Sequence, residues 1–502
     1  MKPRYIADGP AMPSGGGPIR VAIIGGGLAG MAAAEALARH GQGISLTLFE
    51  ARRHPGGRAG SFVDPGTGDE VDYCQHVAMG CCSNLIKLLE DCQIVDPWIR
   101  YDALTFHHPR CGASHFAASH WLPPPFHLGW ALARLRYLTW VQKFQIATAS
   151  FRLMRTPPGR LEQTTAADWL RGVGQSVSTI RDYWDVVLVS ALGESSQNVS
   201  MAAARKVFID GFLAVRGASD VLVPKRPLGE LFGVQLPDAL RRLGLQVRCG
   251  APVRRLRFGQ GEGSDRGALA LESEGASIDF DRVIVAVPWH QIGRLVDPLV
   301  SDRAGLAVAD WSAFPSSPIT GVHLWFDREI TAAPHAVFVG TLAQWLFRRP
   351  FPSSASAALG IAGPGERGAQ QVGHYYQVVI SASRGVRQSD QREVVRQVVA
   401  DLATAFPAVG TARLLASRVV TDPQAVFSVS PTVEASRPAA STLLPSLHLA
   451  GDYTRTGWPA TMEGAVISGR LAAASLLRSL GRPTIDPDPG LPRPLLSRWL
   501  IR

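Results

Sequence analysis

The chain is poor in charged residues and contains no long hydrophobic segment. Of its 502 residues, 18% are charged and 46% are hydrophobic, a balance that excludes disorder over most of the length. No run of 18 uncharged apolar residues occurs, so the sequence predicts no membrane-spanning helix. A single core rarely supports a chain of this length, and two interleaved domains are expected.

Cysteine is scarce as well. Five of the six cysteines fall between Cys74 and Cys111, and their spacing does not match a metal-binding pattern. We expect reduced thiols, because disulfides rarely persist inside cells, and no metal ion. Five histidines between His107 and His127 are spaced irregularly, which is typical of surface or pocket residues and does not meet the geometry of a metal site.

The first 18 residues lack the apolar core of a signal peptide. They are rich in glycine and proline, which predicts a flexible tail on a cytoplasmic protein. The formal net charge is +10, yet the sequence has no long block of lysine or arginine and no RNA-binding aromatic motif. The positive charge therefore favours an anionic membrane surface over nucleic acid. The expected location is the cytoplasm, with peripheral contact on the inner membrane face.

Acidic residues are absent between Ala103 and Leu161. The same stretch contains seven arginine or lysine residues and several aromatic residues. This composition is typical of a helix lying at a membrane interface, with cations toward anionic lipid. A core helix of the substrate domain with a basic outer face is the alternative. Residues 121–155 are the predicted membrane-facing region, and residues 495–502 repeat the pattern on a small scale.

What the sequence does contain is a glycine-rich loop between a strand and a helix. Residues 19–24 form a short apolar run, and good helix formers follow the loop. Gly25 permits a tight turn, Gly27 lets a pyrophosphate approach the backbone, and Gly30 lets the helix pack closely on the strand. The helix begins at Leu28 and Ala29, where free amides and the helix dipole would hold the phosphates. A glycine-rich turn in an unrelated α/β protein is the alternative.

An acid and a second glycine-rich loop follow. Glu50 ends the next predicted strand about 20 residues past the last glycine, where an acid accepts hydrogen bonds from an adenosine ribose. An acid there disfavours the 2′-phosphate of NADP. The loop after it contains Ala51, Arg52, Gly57 and Arg58, and such a loop can place amides and a cation along a pyrophosphate. An ordinary surface turn is the alternative.

A second informative segment lies near the other end of the chain. Gly451 and Asp452 follow a short apolar strand. Met462, Glu463 and Ala465 belong to a glycine-containing segment that opens a helix. The two ends of the chain therefore look like two halves of one cofactor site, and together they indicate a flavin.

The strand pattern divides the chain between two domains. Residues 245–258 and 268–280 alternate like an antiparallel pair, and residues 282–288 indicate a buried strand. We predict an α/β fold with α+β elements, in which a discontinuous Rossmann-type nucleotide-binding domain is interleaved with a substrate domain. The nucleotide domain would comprise residues 19–90, 225–295 and 440–482, the substrate domain residues 91–224 and 296–439, and the tails residues 1–18 and 483–502.

These segments together resemble the flavin amine oxidase and phytoene desaturase superfamily. The resemblance rests on the first glycine loop with Glu50, the turn at Gly56–Ser61 and the terminal segments. Within the superfamily, residues 72–82 and 457–465 look most like the squalene-associated FAD-dependent desaturases, now understood as hydroxysqualene dehydroxylases of hopanoid biosynthesis. The implied fold is that of the amine oxidases, and the implied cofactor is FAD.

The resemblance also implies individual cofactor contacts. Glu50 would bind the adenosine ribose, Arg58 would lie beside the pyrophosphate and flavin, and the Val253 backbone would contact adenine. Asp452 would hold the ribityl or pyrophosphate region. The segment from Met462 to Ala465 would start a helix aimed at the flavin ring, where a helix N-terminus stabilises the negative charge of the reduced flavin.

The implied reaction replaces the allylic hydroxyl of hydroxysqualene, a C30 polyisoprenoid lipid, with hydride from reduced FAD and gives squalene. His76 is the candidate general acid for the leaving hydroxyl, because histidine titrates near neutrality; a structural hydrogen bond at the flavin edge is the alternative. Trp458 is the candidate aromatic wall that stabilises an allylic cation, and core packing is its alternative.

Other functions stay open at this point. They are a carotenoid or phytoene-type desaturase that transfers hydride to FAD, a flavin amine oxidase, and a non-catalytic flavin-binding subunit. No lysine facing the flavin, as some amine oxidases have, is identifiable. Tyr73 and Cys74 stand where many relatives have a small glycine-containing turn, so the backbone near the flavin could differ. Neither the electron donor nor the direction of hydride transfer follows from the sequence.

Overall fold

The structure, a computed structural model, describes residues 17–259, 268–306, 311, 314–349 and 373–502. Most of the predicted N-terminal tail therefore lies outside the described residues. The strands are β1 (Ile19–Ile24), β2 (Ile44–Glu50), β3 (Ser61–Val63), β4 (Glu70–Asp72), β5 (Ala78–Met79), β6 (Trp98–Tyr101), β7 (Ala103–His108), β8 (Gly112–Ala117), β9 (Val221–Pro224), β10 (Gln246–Cys249), β11 (Val253–Phe258), β12 (Leu269–Ser273), β13 (Ala276–Phe280), β14 (Arg282–Val285), β15 (Ser316–Phe326), β16 (His335–Phe338), β17 (Trp345–Arg348), β18 (His374–Ser381), β19 (Leu414–Phe427) and β20 (Leu447–Leu449).

Most helices are short, and some continue into π-helical segments such as Val207–Leu213. The described α-helices are α1 (Leu28–His40), α2 (Ser83–Asp91), α3 (Gly129–Arg134), α4 (Trp140–Arg155), α5 (Ala166–Gly172), α6 (Val177–Thr179), α7 (Asp185–Leu192), α8 (Met201–Lys206), α9 (Leu228–Glu230), α10 (Leu236–Arg242), α11 (Trp289–Leu295), α12 (Pro298–Arg303), α13 (Gln391–Ala405), α14 (Pro431–Ser436), α15 (Met462–Ser479) and α16 (Leu495–Leu500).

One sheet is parallel and has the strand order β10-β2-β1-β14-β20. Its central strands are buried apolar runs, as parallel strands covered on both faces require. Consecutive members of the sheet come from the start, the middle and the end of the chain, so the chain returns to this sheet after building the rest of the molecule. The predicted α/β fold class with a Rossmann-type sheet is confirmed.

Helices α1 and α15 pack closely on each other beside this sheet. A Cβ added at Gly469 of α15 would lie 2.1 Å from the Ala29 carbonyl oxygen of α1, so only glycine permits this approach. A Cβ at Gly30 would lie 2.0 Å from the Gly25 carbonyl oxygen, as the predicted helix–strand packing requires. The close contact places the first turn of α1 against α15 two turns after the start of that helix.

A second sheet has seven strands in the order β19-β15-β18-β17-β16-β7-β8. Its neighbours are antiparallel except for β16 and β7. One face, with Val337 and Val379, packs into the large core shared with β1 and β14. The other face, with Leu346 and Val378, packs against α13 in a separate core. The first face is therefore the one directed toward the parallel sheet.

The predicted antiparallel pair of residues 245–258 and 268–280 is confirmed for β11 and β12, which pair antiparallel, but each range also contains a second strand. The first range divides at Gly250, whose φ of +68° ends β10; β10 joins the parallel sheet, and β11 starts a different sheet. The second range folds back on itself as the hairpin β12–β13, with positive φ at Glu274 and Gly275. The alternation in the sequence predicted extended structure, but it did not predict the turns that divide each range into two strands.

In the acid-free stretch between residues 103 and 161, the expected helical structure is present only in the second half. Residues 103–117 form the hairpin β7–β8 at the edge of the seven-stranded sheet, and α3 and α4 follow. Within the part of the chain that the structure describes, no helix combines the length and hydropathy needed to cross a membrane.

Candidate functional site

The carboxyl end of β2 bears an acid directly under the first glycine loop. Glu50 Oε2 accepts a hydrogen bond from the Gly26 amide at 2.8 Å, and Oε1 accepts one from the Arg52 amide at 2.8 Å. The side chain is buried. Each carboxylate oxygen has a second lone pair, so Glu50 retains the capacity to accept hydrogen bonds from a ribose.

Ala51, Arg52 and Val253 surround this acid. The Gly250 amide donates to the Arg52 carbonyl at 2.8 Å, which brings the start of β11 beside the end of β2. The Arg52 guanidinium donates to the Gly57 carbonyl at 3.2 Å. The structure therefore brings the predicted pyrophosphate loop and the start of β11 together at Glu50, and the contacts of these residues with the cofactor stay predictions.

The N-terminus of α1 has no side-chain cap. Its N-cap residue is Gly27, with ordinary extended dihedrals, and the first turn contains no acid. The amides of Leu28 and Ala29 thus present the positive end of the helix dipole to an anion. A Cβ built at Gly27 would meet no heavy atom within 4 Å, whereas one at Gly57 would lie 3.2 Å from the Gly27 Cα. The two glycines bring two loops together and leave space in front of Gly27.

An ion pair joins the two ends of the chain. Arg58 Nη2 lies 2.7 Å from Asp452 Oδ2, and the Asp452 side chain is almost fully buried. Arg58 Nη1 also donates to the Ala425 carbonyl at 2.7 Å, and the guanidinium lies 5.9 Å from the centre of the Trp289 ring. Arg58 and Asp452 were predicted separately as cofactor contacts, and the structure places them against each other.

Arg437 holds the terminal loop in place, and no sequence motif marks it because it lies in a Pro- and Ser-rich segment. Its fully buried guanidinium donates to the Asp452 carbonyl at 3.0 Å and to the Trp458 carbonyl at 2.8 Å. It also donates to the Thr454 carbonyl at 2.6 Å. A planar guanidinium with five donors can bind several carbonyls at once, so Arg437 positions the backbone that carries Asp452.

The first turn of α15 lies next to this loop, and the Gly451 amide donates to Ser468 Oγ of α15 at 2.8 Å. Thr461 caps the helix, and Met462, Glu463 and Ala465 begin it as predicted. The predicted cofactor contact of Glu463 stays a prediction. Its carboxylate accepts hydrogen bonds from the backbone of Asn84 and Leu85 at the start of α2, at 2.9 and 2.8 Å. Only the main chain of Glu463 remains available to a cofactor.

His76 is placed near the ion pair, but its geometry argues against the predicted acid. Nδ1 lies 2.8 Å from the Cys74 carbonyl oxygen, which can only accept, so Nδ1 bears the hydrogen and Nε2 has a free lone pair. Burial lowers the pKa of His76, and the positive charge of Arg58 lowers it further, although the Cys74 carbonyl opposes this. A neutral imidazole with an unprotonated Nε2 accepts a proton and does not donate one.

The predicted role of Trp458 stays a prediction, and one face of its ring contacts a cation. Lys206 Nζ lies 4.4 Å from the centre of the Trp458 ring, and Lys206 in turn pairs with Asp210. One ring face is therefore occupied by a cation and does not serve a carbocation. The alternative of a structural contact agrees better with this arrangement.

The inner face of the seven-stranded sheet presents an apolar row. Strand register aligns Gly321, Val379, Trp345, Val337 and Phe106 across five neighbouring strands. The row begins near residue 73, because a Cβ at Gly321 would lie 3.0 Å from the carbonyl oxygen of that residue. The row therefore forms an apolar and largely buried part of this face.

A second row runs beside the first and is more polar. Register aligns His323, Gln377, Phe347 and His335 on the same face. His323 Nδ1 lies 2.8 Å from the Tyr375 hydroxyl, and Gln377 Nε2 donates to the Asp72 carbonyl at 3.3 Å.

His335 is the exception in this row. It is 4% exposed, and neither ring nitrogen has a hydrogen-bond partner on another residue that the structure describes. Tyr101, Trp345 and Phe347 surround the ring. Burial lowers the pKa of His335 to about 4, although contact with its own backbone opposes this lowering, so near neutral pH it is uncharged and offers one donor and one acceptor.

The residues present fit a flavin dinucleotide. An uncapped helix N-terminus, open space at Gly27 and a buried acid with free lone pairs are what a pyrophosphate and a ribose require. The start of α15 supplies a second helix N-terminus for the flavin ring. Among the residues that the structure describes, no group of three or more His, Cys, Asp or Glu side chains is placed to hold a metal ion.

Comparison with known proteins agrees with a flavin cofactor. The family model described as "Flavin containing amine oxidoreductase" matches residues 28–477. A 15-cis-phytoene desaturase of an Oncidium hybrid cultivar is 26% identical over 482 residues, covering 92% of this chain and 78% of the relative. A probable zeta-carotene desaturase of Synechococcus elongatus is 23% identical over 495 residues, covering 92% of this chain and 99% of the relative.

A solved structure has the same overall fold. Cyclohexylamine oxidase from Brevibacterium oxydans superposes with a TM-score of 0.65 at 18% identity, over 93% of this chain and all of that protein. At this identity the likeness concerns the fold alone. It agrees with the amine oxidase architecture implied by the sequence.

Proposed function

The chain belongs to the flavin containing amine oxidoreductase family with FAD as its cofactor, and from this premise we propose that it reduces hydroxysqualene to squalene. The substrate class is supported by relatives whose names refer to phytoene and zeta-carotene, which are polyisoprenoids. The resemblance of residues 72–82 and 457–465 to the hydroxysqualene dehydroxylases supports the reaction.

The apolar row on the inner face of the sheet supports a long hydrocarbon substrate. None of Val379, Trp345 and Val337 has a carboxylate that would form an ion pair with the ammonium of an amine. Each methylene of a polyisoprenoid that leaves water for such a wall contributes about 0.8 kcal/mol. Binding along this wall would also exclude water from the reacting carbon.

The choice of a hydroxylated lipid rests on one observation, the buried and unpaired imidazole of His335. A buried polar group without a partner costs about 1–3 kcal/mol, and phytoene-type hydrocarbons have no group that would satisfy it. A substrate hydroxyl would. We assign His335 the role of binding the hydroxyl of hydroxysqualene, with its N–H donating to the oxygen.

The proposed reaction balances as replacement of hydroxyl by hydrogen. One carbon–oxygen bond breaks, one carbon–hydrogen bond forms, and the hydroxyl leaves as water after taking up a proton. Reduced FAD would supply hydride, which is the new hydrogen with its two electrons, and its second hydrogen would balance the proton that leaves in water. The chain itself binds the lipid along the apolar row, orients the hydroxyl at His335 and keeps bulk water away.

A carotenoid-type desaturation is the second candidate. Its support is His76, whose free Nε2 is arranged to accept a proton, as the removal of hydrogen from a hydrocarbon requires. The curated relatives are themselves named as desaturases. In this reaction FAD would be the electron acceptor and the product would be a conjugated, coloured hydrocarbon.

Two parallel incubations distinguish the candidates. Photoreduced protein is mixed without oxygen with hydroxysqualene, and oxidised protein is mixed with phytoene and a quinone. We expect squalene in the first and no coloured product in the second. Free photoreduced FAD without protein is the control for uncatalysed reduction. Coloured product from phytoene without squalene from hydroxysqualene would replace the proposal with the second candidate.

A further inference from the structure

A groove runs between α4 and the C-terminal helix α16. Its volume is about 530 Å³. Two aromatic rings, Phe151 and Trp499, and three arginines, Arg155, Arg498 and Arg502, line it. The groove therefore combines apolar surface with a concentration of positive charge, and none of the predicted cofactor or catalytic residues contributes to it.

Hydrogen bonds hold the two helices that form the groove against each other. Arg155 donates to the Trp499 carbonyl at 3.3 Å, and the Arg502 amide donates to the Met154 carbonyl at 2.9 Å. The Arg205 side chain binds the Arg502 carbonyl. These contacts fix α16 against the end of α4, although α16 has only six residues and would not be stable alone.

An exposed apolar stripe leads to the groove along α4. Trp140 is 74% exposed and Phe144 71%, and Phe151 continues the same face toward the end of the helix. On α16, Leu495 is 83% exposed and Trp499 75%. Large aromatic and aliphatic side chains that share one exposed face mark an interaction surface.

The charge around the groove selects an anionic partner. The sequence contains no Asp or Glu between residues 103 and 161 or between residues 489 and 502. Asp210, which lies near the base of α16, is already paired with Lys206 and Arg493. Exposed tryptophan and phenylalanine beside arginines is the arrangement of proteins that lie on anionic bilayers, with rings at headgroup depth and cations at the phosphates.

We propose that the α4–α16 groove binds the phosphate of an anionic phospholipid headgroup and fixes the protein on the bilayer through the α4 stripe. The partner is a lipid surface, because a soluble anion would leave Trp140, Phe144 and Leu495 exposed. The inference deepens the proposed function, since a polyisoprenoid substrate is dissolved in such a bilayer, but the binding itself does not depend on which lipid reacts.

Vesicle flotation tests the proposal on the full chain. Vesicles of phosphatidylcholine, with or without phosphatidylglycerol, are compared at low salt. We expect the wild type to partition onto the anionic vesicles and the double variant Arg155→Gln/Arg498→Gln to partition on the order of tenfold more weakly. The matched control Arg387→Gln/Arg392→Gln removes the same charge from an exposed surface near α13 and should partition as the wild type does.

Three results would overturn the proposal. They are equal partition of the two double variants, no partition of the wild type onto anionic vesicles, and release of the bound wild type by low concentrations of inorganic phosphate. Because Arg155 also holds α16, Trp499→Ala serves as a second variant, with flavin content and thermal unfolding compared to exclude misfolding. Partition without any squalene formation in detergent would reject the proposed function and leave the groove assignment intact.

Discussion

Arg58 Nη2 lies 2.7 Å from Asp452 Oδ2, and this ion pair connects the loop after β2 with the loop before α15. The two loops belong to opposite ends of the chain, and each resembles one half of an FAD site. Because the carboxylate is buried, its charge depends on the guanidinium for compensation. The pair therefore keeps the two halves in register before the cofactor arrives, which reduces the ordering cost of binding.

Asp452→Asn should weaken FAD binding by about tenfold or more, because Arg58 loses its charged partner and the terminal loop loses its ion pair with the loop after β2. Fluorescence titration of the apoprotein with FAD measures this. Glu393→Gln is the matched control, since it neutralises the acid of an exposed Arg–Glu pair on α13. Wild-type FAD affinity in Asp452→Asn would show that the pair does not organise the site.

Substitutions at two glycines of the same loop should have different consequences. Gly27→Ala places its Cβ in open space, so the protein should fold normally but bind FAD about tenfold or more weakly, because the methyl group obstructs the pyrophosphate. Gly30→Ala collides with the Gly25 carbonyl and should reduce the unfolding temperature itself. Calorimetry and FAD titration of both variants test this. Unchanged FAD affinity in a folded Gly27→Ala would contradict the placement of the pyrophosphate.

Titration of Asp72 should lower the stability of the folded protein as pH rises, whereas carboxylates with lowered pKa values do the opposite. Burial raises its pKa from 3.8 to about 6, against the hydrogen bonds from Ser61 and the Leu228 amide. The folded state thus binds a proton more tightly than the unfolded state, so the contribution of Asp72 is most favourable below its unfolded pKa and is lost as pH rises through the folded pKa.

Asp72→Asn removes this titration and keeps an oxygen for both hydrogen bonds. The stability of the Asp72→Asn variant relative to wild type should therefore increase by about 1–2 kcal/mol between pH 5 and pH 8. Urea unfolding of both proteins at several pH values measures the difference. A stability difference that is constant with pH would show that Asp72 does not have the raised pKa.

His335→Phe should lower kcat/KM for hydroxysqualene by about threefold to tenfold, the loss of one hydrogen bond to the substrate hydroxyl. FAD binding should stay the same. Tyr376→Phe provides the control, because it removes a buried hydroxyl from the opposite face of the same sheet. If both variants have wild-type kcat/KM, His335 does not bind the hydroxyl.

The local part of the cofactor site could be predicted from the sequence. Gly25, Gly27 and Gly30 act through backbone geometry, and the Glu50 carboxylate ends the second strand of the same strand–helix–strand unit, so their spacing alone defines their positions. The start of α15 was predicted for the same reason, since its cap and first turn are adjacent in sequence. The α/β fold class followed from these units.

Residues whose roles depend on distant contacts could not be predicted. Arg437 binds the Asp452 loop only because two segments separated by β20 meet in space. His335 is isolated by strand register and by rings from β6 and β17. The sequence likewise could not show that the Glu463 carboxylate is engaged by α2, or that the Cys74 carbonyl selects the tautomer of His76.

The proposed dehydroxylation is tested most directly by a single turnover with the protein as the only reductant. Protein with one bound FAD is photoreduced without oxygen and mixed with hydroxysqualene, and flavin absorbance and extracted lipids are measured together. We expect the flavin to reoxidise as one equivalent of squalene per flavin appears. A flavin that stays reduced while hydroxysqualene is recovered unchanged would contradict the proposed function.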